Sequence, residues 1–292
     1  MRLLVVVPHY FRRSEEAKAT SDLEHRHGST SGQVAARTHS LRRCIHSLHQ
    51  TLGTSQAIIR HVDRRVEPAN EAYRHELHIV VVTTGDSHLI EQANLANNLI
   101  HQFSVEENPQ HLGFLAQRVL RDRWGNYDYY CYMEDDLAID DPWFFEKLRW
   151  FNSYVGDEKV LLPQRFERSA DHPYKKVYLD GELAKRVTEH FQNIDELPEL
   201  KSEVMGNPVR FTRPTNPHSG CFFLNSNQMQ HWIAQPHFEP IDTSFIGPLE
   251  SAATLGVMKT FDIYKPAREN ASFFEIEHAD RRFISLIRFG DQ

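Results

Sequence analysis

Three adjacent acids, Glu134, Asp135 and Asp136, follow directly on Tyr129-Tyr130-Cys131-Tyr132-Met133. That aromatic and apolar run has the composition of a buried β-strand. Just beyond it, Asp141-Pro142 has the form of an N-cap and first helical position, opening a helix from Trp143 to Phe151. The acids therefore stand at the carboxyl end of a strand, the edge at which open α/β sheets bind ligands. Neighbouring carboxylates repel one another unless a metal or a positively charged partner compensates them. A divalent cation is the first chemistry this spacing suggests. The plainer reading is a turn that is merely acidic, with Asp140 and Asp141 close by.

The elements that must position these acids alternate strand and helix through the first half, the pattern of a parallel sheet wrapped by helices. Leu3 to Val7 reads as the first strand and Leu77 to Thr83 as the second. Leu41, Ile45, Leu48 and Leu52 recur on one helical face between them. Asp86-Ser87 is expected to cap a helix presenting Ile90, Ala93, Asn97 and Ile100. A short strand at Phe103 to Val105 and a helix from about Gly113 follow. The polar stretch from Arg12 to Gln33 lacks apolar periodicity and reads as a loop. Residues 156 to 215 show little regular alternation beyond a helical pattern from Leu183 to Phe191, and read as an inserted, substrate-facing region. Cys221 to Leu224 returns to the core, with Ser226-Asn227 capping a short helix. Pro248 opens another helix that Gly256 should end, and Val257 to Tyr264 and Phe273 to His278 are the last strands expected.

Composition bounds the function. A chain of 292 residues, 40% hydrophobic and 25% charged, can bury a substantial core as one domain. A net charge of −7 argues against a nucleic-acid surface, which normally carries excess Lys and Arg. Cys44, Cys131 and Cys221 are widely spaced and odd in number, which fits a reducing, cytoplasmic setting better than a disulfide framework. No apolar run approaches the length of a membrane span. The mixed basic and apolar tail Arg281 to Arg288 is expected to pack on the domain, with peripheral membrane contact as the alternative.

Taken in order, these pieces resemble a nucleotide-sugar glycosyltransferase of the GT-A fold. Val5-Val6-Val7-Pro8 looks like the first strand of such domains, and Ile79 to Ser87 like the second strand and its loop. Asn108 to Leu120, with His111-Leu112-Gly113-Phe114 and Ala116-Gln117-Arg118, is similar to the family's N-x-G-x-x-x-A-x-N helix entrance, with Gln117 and Arg118 in place of the usual Asn. Tyr130 to Asp136 corresponds to the strand that ends in D-x-D. Here it reads E-D-D-L, and with Pro142-Trp143-Phe144-Phe145 behind it resembles inverting N-acetylglucosaminyltransferases. Ser219 to Phe223 resembles the acceptor-side strand, and Ile246 to Glu250 the segment carrying the base. His278 falls where many such enzymes supply a second metal ligand.

The resemblance implies a mixed, mostly parallel GT-A sheet flanked by helices, with residues 1–150 binding nucleotide sugar and 151–292 binding acceptor. It implies an Mn²⁺ or Mg²⁺ ion on Asp136 and His278, the imidazole tilting the choice toward Mn²⁺. Glu134 and Asp135 would accept hydrogen bonds from the donor sugar and ribose. Pro8, His9 and Tyr10, Asp86, and Arg118 would complete the donor site, with Tyr10 stacking on uracil or simply packing. Asn216, Ser219, Gly220 and Trp232 are the acceptor-side residues implied, although core packing suits Trp232 equally. Glu250, in the first turn after Pro248, sits where the helix dipole favours a carboxylate and would act as base in an inverting displacement; Asp242 is its rival. As metal ligands, His9, His218 and the His25-Arg26-His27 cluster read as ordinary surface or packed histidines. The competing functions are a sugar nucleotidyltransferase, whose Gly-rich phosphate loop is missing after Pro8, and a noncatalytic carbohydrate-binding protein on the same fold.

Overall fold

The computed structural model describes residues 1–12, 34–96, 98–280 and 282–287. The Arg12 to Gln33 loop from position 13 onward, the His25-Arg26-His27 cluster, Asn97, Arg281 and Arg288 lie outside them. The chain is an α/β protein with a mixed, mostly parallel central sheet flanked by helices. Its five strands run in the order Cys221–Asn225, Tyr129–Met133, Arg2–Pro8, Glu76–Thr84, His101–Val105, and only the first is antiparallel to its neighbour.

Alternating residues of the Arg2–Pro8 strand supply two cores. Leu3, Val5 and Val7 face Leu41, Ile45, Leu48 and Leu52 of helix Val34–Leu52, while Leu4 and Val6 face Leu112, Ala116 and Leu120 of helix Leu112–Asp122. Burial on both faces explains the unbroken Leu3-Leu4-Val5-Val6-Val7 run, because a strand covered by helices on each side has no solvent face to keep polar. Val5 pairs with Ile79 on one side and Cys131 on the other. The chain thus runs outward from the first strand in one direction and returns on its other side. The crevice beyond Pro8 and Met133 is therefore a topological switch point, where such sheets bind ligands.

Two smaller sheets frame this crevice. In one, Leu137–Ala138 pairs antiparallel with Glu275–His278, which runs parallel to Gln164–Arg168, and Lys176–Tyr178 closes the edge. The other comprises Glu199–Val204, Asn207–Thr212, Asp262–Pro266 and Lys159–Leu161. Residues 156 to 215 thus contribute five short strands to these sheets, with irregular backbone between them. Their strands run only three to six residues each, so alternation is weak.

Other expectations need correction. The helix after Asp86 is a single turn, Ile90–Ala93, because Asn94 adopts left-handed backbone at φ 46° and ends it; neither Asp86 nor Ser87 caps it. The Leu183 to Phe191 pattern yields only a 3₁₀ turn at Lys185–Val187. Asn225, not Ser226, caps helix Ser226–Ile233, in a reciprocal pair with Gln228. Gly256 does not end its helix: Pro248–Glu250 passes through a π-helical segment, Ser251–Leu255, into Gly256–Thr260. A Cβ at Gly256 would lie 2.7 Å from Trp232 Cζ2, so this glycine permits close packing instead of a stop. A hairpin, Ala57–Arg60 with Arg65–Pro68, was not anticipated; every one of its strand residues is exposed, leaving no burial pattern to read.

Candidate active site

The acidic turn is built by backbone bonds that join distant parts of the chain. Glu134 N–H donates to the Gly220 carbonyl at 2.9 Å, tying the turn to the antiparallel strand, and Leu137 N–H returns to the Glu134 carbonyl at 3.2 Å. Ala279 N–H donates to the Asp136 carbonyl at 2.7 Å, and His278 pairs with Leu137 across the small sheet. Register alone therefore carries His278 to the acids.

Each acid meets different company. Asp135 is 6% exposed, and both of its oxygens lie 2.7 Å from Arg37 Nη2. His9 Nδ1 also contacts it. The Leu89 N–H donates to His9 Nε2 at 3.0 Å, so the ring proton sits on Nδ1 and points to Asp135. Burial works to raise the pKa of Asp135, but Arg37 and then His9 outweigh it and hold the carboxyl below its usual range. Asp136 Oδ2 lies 3.4 Å from Arg37 Nη1, 3.5 Å from His278 Nε2 and 4.0 Å from Arg282 Nη2. Its Oδ1 is buried with no hydrogen-bond partner. Burial opposes ionisation here too, yet His278 and Arg37 hold this carboxyl far below the ordinary range. Glu134 goes the other way. Burial and then the charge of Asp136 push it up to about 8, with Arg165 opposing and Glu250 adding to the rise.

His278 is fixed from behind. Its Nδ1 lies 2.8 Å from Oε1 of Glu167, a fully buried carboxylate on the Gln164–Arg168 strand. Burial disfavours the imidazolium, but Asp136 and Glu167 more than compensate and raise His278 to about 10. The ring also lines a cavity of about 280 Å³ with His39, Arg43, Arg168, Glu277 and Ala279.

Glu250 does lie in the first turn of its helix, after Gly247 and Pro248. Its Oε2 is buried and without a partner. Its charge reaches Glu134 and the buried Tyr132 hydroxyl, which also has no partner. Asp242, the rival base, is committed elsewhere: Oδ2 is 2.5 Å from Lys259 Nζ and Oδ1 accepts from Ser244 N–H at 3.0 Å. The Lys259 hydrogen bond, then that of Ser244, holds it at about 2.

The remaining residues divide. Pro8 is buried at the end of the first strand, Tyr10 is half-buried behind it, and Asp86 is exposed. Arg118 is half-buried on helix Leu112–Asp122, whose link to the Glu250 helix is Gln117, donating to the Ala252 carbonyl at 2.6 Å. Gly220 lies against Glu134, since a Cβ there would sit 2.5 Å from Glu134 Oε2. Ser219 Oγ donates to the Pro163 carbonyl and Asn216 Nδ2 to the Gly181 carbonyl. Trp232 offers no face to a ligand. It is 1% exposed, with its ring edge-on to Phe222 and Phe238 in the core. The tail packs on the domain only in part: Ile284 is buried and the Phe283 and Ile284 N–H groups donate to Glu167, but Phe283 and Leu286 are exposed.

Four site residues escaped the sequence reading: Arg37, Arg165, Glu167 and Arg282. Arg165-Phe166-Glu167 did carry a signal, two charges flanking a phenylalanine on a strand where all three are buried. Arg165 is braced by Asp180, which bonds its Nε at 2.9 Å and also Lys265 Nζ at 2.8 Å.

No group of three or more metal-binding side chains occurs among the described residues. Asp136 and His278 form a two-residue donor set of hard oxygen and imidazole, with Asp136 Oδ1 unpartnered. That suits a cation completed by ligand oxygens. No described helix is long and apolar enough to cross a membrane, and all three cysteines are buried and free.

No family model matches the chain, and no curated protein matches it. Among solved structures it is similar to the crystal structure of GalNAc-T7 with UDP, GalNAc and Mn²⁺, with a TM-score of 0.47 and 11% identity, covering 95% of this chain and 43% of that one. It is also similar to S. aureus TarS, at a TM-score of 0.41 and 11% identity over 92% of this chain and 35% of the other. For S. aureus TarS 1-349 in complex with UDP the figures are 0.44, 10%, 91% and 57%. The chain spans less than two thirds of the length of each.

Proposed function

We propose that this protein is a metal-dependent glycosyltransferase that moves a sugar from a nucleotide-sugar donor, of the UDP type, to a hydroxyl acceptor with inversion. The observation that carries the reading is the meeting of Asp136 and His278 at the switch point, with Asp136 Oδ1 buried and unpartnered. Asp136 and His278 would hold Mn²⁺ or Mg²⁺, which when bound supplies positive charge to the departing diphosphate.

The protein's own groups do the rest. Arg37 and His9 fix Asp135, leaving its carboxylate rigid at the edge of the crevice. Glu134, crowded by Gly220 and Asp136, presents a carboxyl group to the donor sugar. Glu250 is the general base: its buried, unpartnered Oε2 accepts the proton of the incoming hydroxyl as attack proceeds. A single in-line attack assisted by a base inverts the anomeric centre, because no covalent intermediate intervenes.

Arg37 favours one other reading, a carbohydrate-binding protein without turnover, in which the arginine is the permanent counter-ion of Asp135 and Asp136. Release of UDP from a panel of UDP-sugars, measured with Mn²⁺ and with EDTA, separates the two. Mn²⁺-dependent release supports the transferase. Donor-independent silence with saccharide binding retained supports the binding protein.

A further inference from the structure

Glu167 lies in the stretch where the sequence offers no motif, on the Gln164–Arg168 strand, and is fully buried. A carboxylate taken wholly out of water is costly unless its oxygens are satisfied. Here they are. Oε1 meets His278 Nδ1 at 2.8 Å and accepts from Phe283 N–H at 3.2 Å, while Oε2 accepts from Ile284 N–H at 2.6 Å. With two of the three neighbours obligate N–H donors, the third contact is also a donation, from Nδ1–H of the imidazole to the carboxylate. With the Nδ1 proton held by Glu167, Nε2, which faces Asp136 Oδ2 at 3.5 Å, is the nitrogen left to give a lone pair to a cation, on release of its own proton.

We propose that Glu167 is a positioning residue that locks His278 with its Nε2 lone pair aimed at the cation held with Asp136. The inference rests on the transferase reading of the same site and deepens it. The logic is general: a ligating imidazole gains orientation and basicity when its other nitrogen donates to a buried carboxylate. Three strands make the lock rigid. Glu275–His278 runs between Gln164–Arg168 and Leu137–Ala138, so carboxylate and imidazole stand on adjacent strands of one small sheet and Asp136 immediately precedes the third. Glu167 also pins the backbone that brings Arg282 Nη2 to 4.0 Å from Asp136.

The test reads the ion itself. Mn²⁺ binding to the full chain with UDP present is followed by electron paramagnetic resonance for wild type, Glu167→Gln and Glu167→Asp, with circular dichroism as the check on folding. Glu167→Gln keeps an acceptor oxygen for the ring but loses the charge. The proposal expects its Mn²⁺ affinity to fall about 10- to 100-fold, with partial recovery in Glu167→Asp. A folded Glu167→Gln protein that binds Mn²⁺ within about twofold of wild type overturns it. Absence of Mn²⁺ uptake by wild type overturns the reading of the site together with the inference, and is a distinct result. A second measurement needs no variant: imidazole ¹⁵N shifts of wild type with Mg²⁺ and UDP. Protonated Nδ1 with unprotonated Nε2 on His278 is expected, and the opposite tautomer refutes the lock.

Discussion

His278 Nε2 lies 3.5 Å from Asp136 Oδ2, and the contact is made by sheet register and not by chance approach of two loops. Leu137 pairs with His278 directly, and the Asp136 carbonyl takes the next amide, that of Ala279. Asp136→Asn and His278→Ala are therefore expected to abolish Mn²⁺-stimulated UDP release, by a factor on the order of 10² or more, since charge stabilisation by an ion is worth several kcal/mol. EDTA should reproduce the loss in wild type. Unchanged release in either variant would remove the ion from the mechanism.

Glu250→Gln should lower kcat by about 10²- to 10⁴-fold, the usual worth of a general base. Donor affinity, read by calorimetry with a UDP-sugar, should stay near wild type because the base acts on the acceptor hydroxyl. Asp242→Asn serves as its control. Paired with Lys259, Asp242 is expected to leave turnover within about threefold. Equal losses in both variants would refute the assignment.

Gly220→Ala combines two penalties. The residue sits at φ +63°, and an added Cβ would fall 2.5 Å from Glu134 Oε2 and 3.0 Å from its Cδ. The backbone strain alone costs about 1–3 kcal/mol. A lower urea midpoint together with weakened donor binding is expected, since Glu134 must give way. A variant as stable as wild type would show that this turn relaxes freely.

The buried Asp180, Arg165 and Lys265 group gives an acid-dependent prediction. Burial alone would raise the pKa of Asp180, but Arg165 and Lys265 bring it to about 2, below the ordinary carboxylate value of 3.8. A depressed folded-state value stabilises the protein above the unfolded value and is lost as pH falls through the folded one. Roughly 2 kcal/mol should disappear between about pH 4 and pH 2. Lys265 is drawn below its ordinary range because desolvation outweighs Asp180, so the favourable share of the network lies with Asp180 and Arg165. Asp180→Asn should cost about 3–5 kcal/mol and remove most of that acid dependence, while Lys265→Met should cost less. Denaturant titrations at pH 7 and pH 3 check both; equal costs would contradict this division.

Much of the site was legible in the sequence because its chemistry is local. Glu134 to Asp136 follow a run whose burial is unmistakable, and Glu250 follows a helix-opening Pro248. Arg37 was not legible, since it lies four residues beyond a stretch without periodicity and meets Asp135 only through the fold. Glu167 was hidden for another reason: its strand pairs with residues 275–277, and no pattern within residues 156 to 215 announces that partner. Trp232 shows the converse error. An aromatic ring suits a sugar and a core alike, and the close approach of Gly256 that decides between them is a tertiary fact. The one-turn helix at Ile90–Ala93 failed for want of a local signal that Asn94 would turn left-handed.

The strand Cys221–Asn225 closes the central sheet beside Tyr129–Met133, and Glu275–His278 joins the acidic turn from still farther along the chain. Pairings of such long sequence separation are slow to nucleate. During translation, a nascent polypeptide emerged only as far as Asn225 already contains all five central strands but lacks His278. Asp136 must then wait at the sheet edge, its partner supplied only when the later strand docks.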